Sequence, residues 1–122
     1  MNNIKLFIDD VRMPADVGYN NADFIIARDW WKARQVIDKF KPQFISFDHD
    51  LGEDSKATDG SVYYTGYDIV KWMIAEDSIR NKQYITENFK FNVHSANPIG
   101  AKNIEDALNN YIEHKFYSGW RE

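Results

Sequence analysis

The chain has 122 residues, 43% of them hydrophobic and 16% aromatic, with a formal net charge of −4. That length holds one real core and is too short for two, so a single domain over residues 1–122 is expected. The lack of cysteine excludes disulfides and thiolate metal sites, and the singly scattered Lys and Arg argue against duplex DNA binding.

No segment is long and apolar enough for a membrane span, and the apolar run of MNNIKLFIDD meets Asp9 too early for a signal peptide. The expectation is a cytoplasmic protein with no membrane partner. The sequence identifies no protein partner.

In chain order, Ile4–Ile8 is a short continuous apolar run that reads as a buried strand ending in Asp9-Asp10. Val11–Asp23, with Arg12, Pro14 and Gly18, stands where a first helix belongs but carries no helical stripe. Phe24–Ala27 is the second strand. Asp29 then caps a helix with Ala33, Val36, Ile37 and Phe40 on one face, closed by Pro42. Phe44–Phe47 is the third strand and stops at Asp48-His49-Asp50. Residues 51–65 form a long connection with Gly52 and Gly60 as hinges, read as a lid leaving the acidic cluster. Thr65 and Asp68 sit at capping-box spacing before Ile69, Val70, Met73 and Ile74. Phe89–Val93 is the fourth strand, running into His94-Ser95-Ala96-Asn97. Pro98 opens the last helix, with Ala101, Ile104, Leu108, Tyr111 and Ile112 as its stripe.

Continuous apolar strands alternating with helices predict a mainly parallel α/β sheet covered on both faces, a three-layer sandwich. The strand order 2-1-3-4 is the expectation if the sheet is ordered as flavodoxin-like sheets are. Ligands of such sheets bind beyond the carboxyl ends of the strands. If the first and third strands pair, the acids at 9, 10, 48 and 50 crowd one space. Two like charges about 4 Å apart repel by roughly 4 kcal/mol at an effective dielectric near 20, so a cation or shared protons must relieve them. All-oxygen ligands suit Mg²⁺, Mn²⁺ or Ca²⁺ better than zinc. Strand-end Asp residues that only form turns or caps are the plain alternative.

His49 and His94 leave neighbouring strand ends if the third and fourth strands pair, and two imidazoles there suit general acid–base work on a phosphodiester. HSANPIGAKN adds a helix N-terminus that favours an anion, with Gly100 allowing close approach and Lys102 and Asn103 in reach. Arg12 offers a bidentate phosphate contact or merely balances the local acids. His114 and the aromatic tail Phe116-Tyr117-Ser118-Gly119-Trp120 carry no assignment to the site.

The motifs together resemble the receiver superfamily of response regulators, and within it the cyclic-phosphate-processing receiver domain. The resemblance rests on Asp9-Asp10-Val11-Arg12-Met13-Pro14, on Asp48-His49-Asp50-Leu51-Gly52, and on Val93-His94-Ser95-Ala96-Asn97-Pro98 with Gly100 and Asn103. It implies a compact flavodoxin/receiver-like fold, here without a fifth strand–helix unit. It also implies a divalent cation, most naturally Mg²⁺ with Mn²⁺ as the alternative, held by Asp9, Asp10 and Asp48 with Asp50 in support. His49, His94, Ser95 and Asn97 would then handle a cyclic phosphate, on a small nucleotide or an RNA end, in a metal-dependent phosphoesterase. The chain departs from a signalling receiver in having His after the fourth strand and no lysine on a fifth. A non-catalytic module binding a nucleotide or a protein partner is the other reading.

Overall fold

The computed structural model of the chain describes residues 2–117. Four strands, β1 (Lys5–Ile8), β2 (Phe24–Ala27), β3 (Phe44–Phe47) and β4 (Lys90–Val93), form one sheet in the order β2-β1-β3-β4. All three ladders are parallel, and the register pairs Ile8 with both Ala27 and Phe47, and Phe47 with Val93. The strands therefore finish level, and Arg28, Asp9, Asp48 and His94 stand next to one another along a single edge. This is the strand order that the sequence predicts.

Three helices follow the strands, α1 (Trp30–Phe40), α2 (Gly66–Arg80) and α3 (Pro98–Tyr117). Asp29 caps α1 by accepting from the Lys32 N–H, and Thr65 and Asp68 form the reciprocal capping box of α2. α1 and α2 end at Lys41 and Asn81 in the left-handed region, with φ of 48° and 54°. Among the described residues no helix is long and apolar enough to cross a membrane.

The sheet is covered on both faces, with the helices gathered on one of them. Side chains alternate across a strand, which puts Leu6, Ile8, Ala27, Ile45 and Phe47 on one face. They share one core with Ala33, Val36 and Ile37 of α1, Ile69, Val70 and Met73 of α2, and Ile104 and Leu108 of α3. The opposite face carries Phe7, Phe24, Phe44 and Ser46. Over it lies the connection from β1 to β2, two short 3-10 turns whose Tyr19 packs on Phe24 at 5.1 Å and Phe44 at 6.0 Å. Crossover handedness explains the arrangement. The steps from β2 to β3 and from β3 to β4 travel the same way across the sheet, so right-handed connections put their helices on one face. Only the step from β1 to β2 travels the other way, and it contains no α-helix.

The connection 51–65, expected as a lid, is pinned as a fixed flap. Ser55 is buried and its hydroxyl accepts from the Trp30 N–H at 2.9 Å, while the Tyr64 ring stacks on Trp30 at 3.9 Å. Leu51 and Ala57 are buried beneath it. On the far side of the molecule, Asp77 is a buried polar latch between helices. It accepts from the Ile85 N–H, the Tyr111 hydroxyl and the Lys115 ammonium at 3.1, 2.6 and 2.7 Å. Phe116 packs against the core and Tyr117 is half exposed, while the remainder of the aromatic tail lies outside the described residues.

Candidate active site at the carboxyl edge of the sheet

The level strand ends bring one carboxylate oxygen each of Asp9, Asp10 and Asp48 within 4.8 Å of one another. Asp9 is fully buried, and both of its oxygens are satisfied by protein donors. Oδ1 accepts from the Val11 and Arg12 N–H groups at 2.9 and 2.8 Å. Oδ2 accepts from Arg12 Nε at 2.8 Å and faces His94 Nε2 at 3.0 Å. Burial pushes its pKa up, but these donors outweigh burial and hold it below the usual carboxylate value.

Asp48 is perturbed the opposite way. Burial and then the Asp9 charge raise its pKa, against the pull of Arg12, the His49 N–H and Ser95. The Arg12 guanidinium reaches over to it, Nη2 to Oδ1 at 3.4 Å, and thereby spans two of the three acids. Asp10 is more open and leans on Gly52, where a Cβ would come within 2.8 Å of its Oδ2. Gly52 has a φ of +72°, which a side chain would strain, so the DHDLG glycine is required both by its conformation and by its neighbour. Asp50, expected to support the cation, stands outside the cluster. It is largely exposed, and its Oδ1 lies 2.9 Å from His49 Nδ1.

His94 occupies a place that its strand-end position did not foretell. Its ring is almost entirely buried and crosses over β3, lying flat on Phe7 of β1 with centroids 4.4 Å apart and planes 4° apart. Ser46, the β3 residue beneath the crossing, is small enough to let the ring pass, and its hydroxyl lies 2.7 Å from Nδ1. Burial lowers the His94 pKa more than Asp9 raises it, which favours the neutral ring. A neutral imidazole has one donor and one acceptor nitrogen. The Asp9 carboxylate accepts, so Nε2 carries the hydrogen, and Nδ1 accepts from the Ser46 hydroxyl. Both nitrogens are thus engaged with protein, and His94 acts on Asp9 rather than on the open rim.

His49 is placed differently. Its ring rests on the first turn of α3 at Gly100, where a Cβ would lie 2.4 Å from the ring Cγ. Asn97 caps that helix by accepting from the Gly100 N–H at 3.0 Å, and its Nδ2 approaches His49 Nδ1 at 3.5 Å. The shorter contact to Asp50 decides the tautomer: Nδ1–H donates to the carboxylate and Nε2 is left as the acceptor. Ser95 accepts from the Asn97 N–H at 3.0 Å and so shapes the same turn. At the other side of His49, Gly66 opens α2 with its N–H donating to the His49 carbonyl at 2.8 Å. A Cβ there would fall 1.9 Å from the Asp48 carbonyl oxygen. Asn103 is exposed on α3, three residues beyond Gly100 on the same helix face.

The arrangement agrees with a family comparison, in which the model of the cyclic-phosphate processing receiver domain matches residues 4–110. The chain belongs to that family. Searches of curated proteins and of solved structures return no match.

In this receiver domain the donor set fits a hard divalent cation, because three carboxylates converge and the Asp48 pKa is raised partly by Asp9. The four acceptor positions of Asp9 are all taken, and Asp48 Oδ1 already accepts from the His49 N–H at 2.8 Å and faces Arg12, so Asp10 and the remaining oxygen of Asp48 are the positions open to an ion. Two residues of the site were not foreseen from sequence. Ser46 looked like one more position in an apolar strand. Arg28 read as part of a helix cap, yet its Nη1 donates to the Asp9 and Arg12 carbonyls at 3.2 and 2.6 Å and fixes the acidic turn. A polar residue inside FISF was the one available signal for the first.

Proposed function

We propose that this receiver domain is a divalent-cation-dependent phosphoesterase that opens a cyclic phosphate on a small nucleotide or an RNA end. The observation that carries the reading is the convergence of Asp9, Asp10 and Asp48, with the Arg12 guanidinium reaching Asp9 and Asp48. Asp10 and Asp48 would hold Mg²⁺ or Mn²⁺, and Asp9 would fix Arg12. When bound, the ion supplies positive charge against the phosphate oxygens. Arg12 faces a second phosphate oxygen with its remaining N–H groups. His49 Nε2 takes a proton from the attacking water as its oxygen bonds to phosphorus, with Asp50 stabilising the imidazolium that forms. One ring P–O bond breaks, the leaving oxygen receives that proton back, and the product is a phosphate monoester. Asn97, Gly100 and Ser95 hold the His49 ring and the rim of the site, and Asn103 extends that rim along α3.

The second reading, a non-catalytic module, draws support from Arg12. Its guanidinium offsets part of the charge of Asp9 and Asp48, so the chain itself relieves some of their repulsion. Incubation with Mg²⁺ or Mn²⁺ and 2′,3′- or 3′,5′-cyclic nucleotides separates the two. Turnover is expected, falling about a hundredfold or more in Asp48→Asn and His49→Ala. Saturable nucleotide binding without turnover establishes the module instead, and turnover indifferent to both substitutions removes the site assignment.

A further inference from the structure

Away from the acidic edge, a groove of about 550 Å³ runs between α1 and α2. Arg34 lies in it with its guanidinium carbon over the Trp30 ring at 4.2 Å and over the Trp72 ring at 4.9 Å. Trp30 in turn stacks on Tyr64 of the flap, so Tyr64, Trp30, Arg34 and Trp72 form one continuous column. Two indoles hold the cation in one orientation, with cation–π attraction adding to the packing.

The charges of the groove do not cancel. Arg34, Arg80 and Lys82 line it against the carboxylates of Asp38 and Glu76. Glu76 is taken by Arg80 at 3.2 Å, and Asp38 by Lys82 at 3.7 Å and by the Tyr84 hydroxyl. Arg34 has no carboxylate and no hydrogen-bond acceptor among the described residues, and its Nε is buried without a partner. Leaving such a donor unsatisfied costs about 1–3 kcal/mol, so a guanidinium serving only to fill space is a poor account of this residue. A planar fork held rigid and short of an acceptor is the arrangement that binds carboxylate or phosphate bidentately. Trp31 stands at the rim, 40% exposed, and offers an aromatic face beside the fork.

We propose that this groove is a second binding site, for a ligand presenting one oxyanion, a phosphate monoester or a carboxylate, on a planar apolar body. The oxyanion meets the Nη groups of Arg34, and the planar body lies against Trp31. The site is separate from the acidic edge and independent of any activity there.

Nuclear magnetic resonance on the full chain in metal-free buffer tests this, with phenyl phosphate, benzoate and the neutral benzyl alcohol as probes. Saturable shifts of the Arg34 Nε–H and of the Trp31 and Trp72 indole N–H signals are expected with an anion and not with the alcohol. Which anion binds more tightly identifies the oxyanion. Arg34→Gln should weaken binding at least tenfold, and Arg34→Lys, which keeps the charge and loses the fork, should weaken it severalfold. The proposal is overturned if neither anion saturates the Arg34 signal, if the alcohol binds as well, or if the shifts gather around Asp48 instead. Because the wild-type titration alone decides these outcomes, a variant that fails to fold does not obscure them.

Discussion

Nε2 of His94 lies 3.0 Å from Oδ2 of Asp9, although the two residues leave strands that are separated by β3. The ring spans that distance because Ser46 is small and because its hydroxyl meets the ring's other nitrogen at 2.7 Å. Ser46, His94 and Asp9 therefore form one buried chain of hydrogen bonds, and its direction is fixed by the carboxylate at its end. Ser46→Ala should cost about 1 kcal/mol in urea denaturation and leave Nδ1 without its donor, visible as a change in the His94 Nδ1 ¹⁵N shift while Nε2 keeps its hydrogen. Ser46→Val should cost more, because two methyl groups would occupy the crossing itself. Equal stability of the two variants would show that the ring does not depend on that gap.

Two glycines of the site, Gly66 and Gly100, predict different failures. Gly66→Ala forces a Cβ against the backbone carbonyl of Asp48, which has no means of yielding, so a loss of roughly 3 kcal/mol or failure to fold is expected. Gly100→Ala meets only the His49 ring, which can turn away. The fold should survive that change with a melting temperature close to wild type, while the proposed turnover falls at least tenfold. A Gly100→Ala protein with full activity would place His49 outside the chemistry.

Arg12 lies against Asp48, one of the two acids that would hold a cation. Arg12→Ala should tighten Mn²⁺ binding by up to about thirtyfold, the equivalent of ~2 kcal/mol for a unit charge near 4 Å from a divalent ion in water. Turnover should fall all the same, because the phosphate loses its guanidinium. Calorimetric titration with Mn²⁺ checks the first half and the cyclic-nucleotide assay the second. Weaker Mn²⁺ binding in the variant would mean that Arg12 organises the acids more than it competes for them.

Asp77 gives the fold an acid-sensitive point remote from the site. Burial raises its pKa, but Lys115, Tyr111 and the Ile85 N–H together carry it below the ordinary 3.8. A carboxyl whose folded pKa is depressed contributes stability above its unfolded value and loses it as pH falls through the folded one. Urea midpoints should therefore drop as pH falls below about 3.8, and Asp77→Asn should flatten that part of the decline. At neutral pH the same variant should be roughly 2 kcal/mol less stable, since the Lys115 ammonium keeps only the Ile85 carbonyl, at 2.7 Å. An unchanged acid limb in Asp77→Asn would assign the loss to other carboxylates.

Much of this architecture was legible in the residues. Local signals that act over one turn, such as Asp29, Thr65 with Asp68, and Pro98, placed the helix starts, and continuous apolar runs placed the strands. Strand order was expected from the likeness to flavodoxin-like sheets, which put β1 beside β3, and no local signal carries it. That the helices gather on one face was not legible, because a missing helix in Val11–Asp23 does not by itself reveal which face the connection covers. Nor was the pairing of the two histidines with different acids. His94 and His49 look equivalent at strand exits, and only the pleat sends one over Ser46 and the other against Gly100. The latch at Asp77 joins residues that lie far apart in the chain, so nothing local marks it.

The backbone N–H groups of Asp9, Asp48 and His94 each donate to the last carbonyl of a neighbouring strand, those of Ala27, Ile8 and Phe47, at 3.2, 2.9 and 2.9 Å. These three residues are thus the final rungs of the sheet rather than the first residues of loops. Their amide protons should exchange with deuterium only when the sheet itself opens, at the slow limit of the whole molecule. An edge built this way does not wait for a ligand to take shape. It holds the same acids in the same places whether or not the proposed cation is bound.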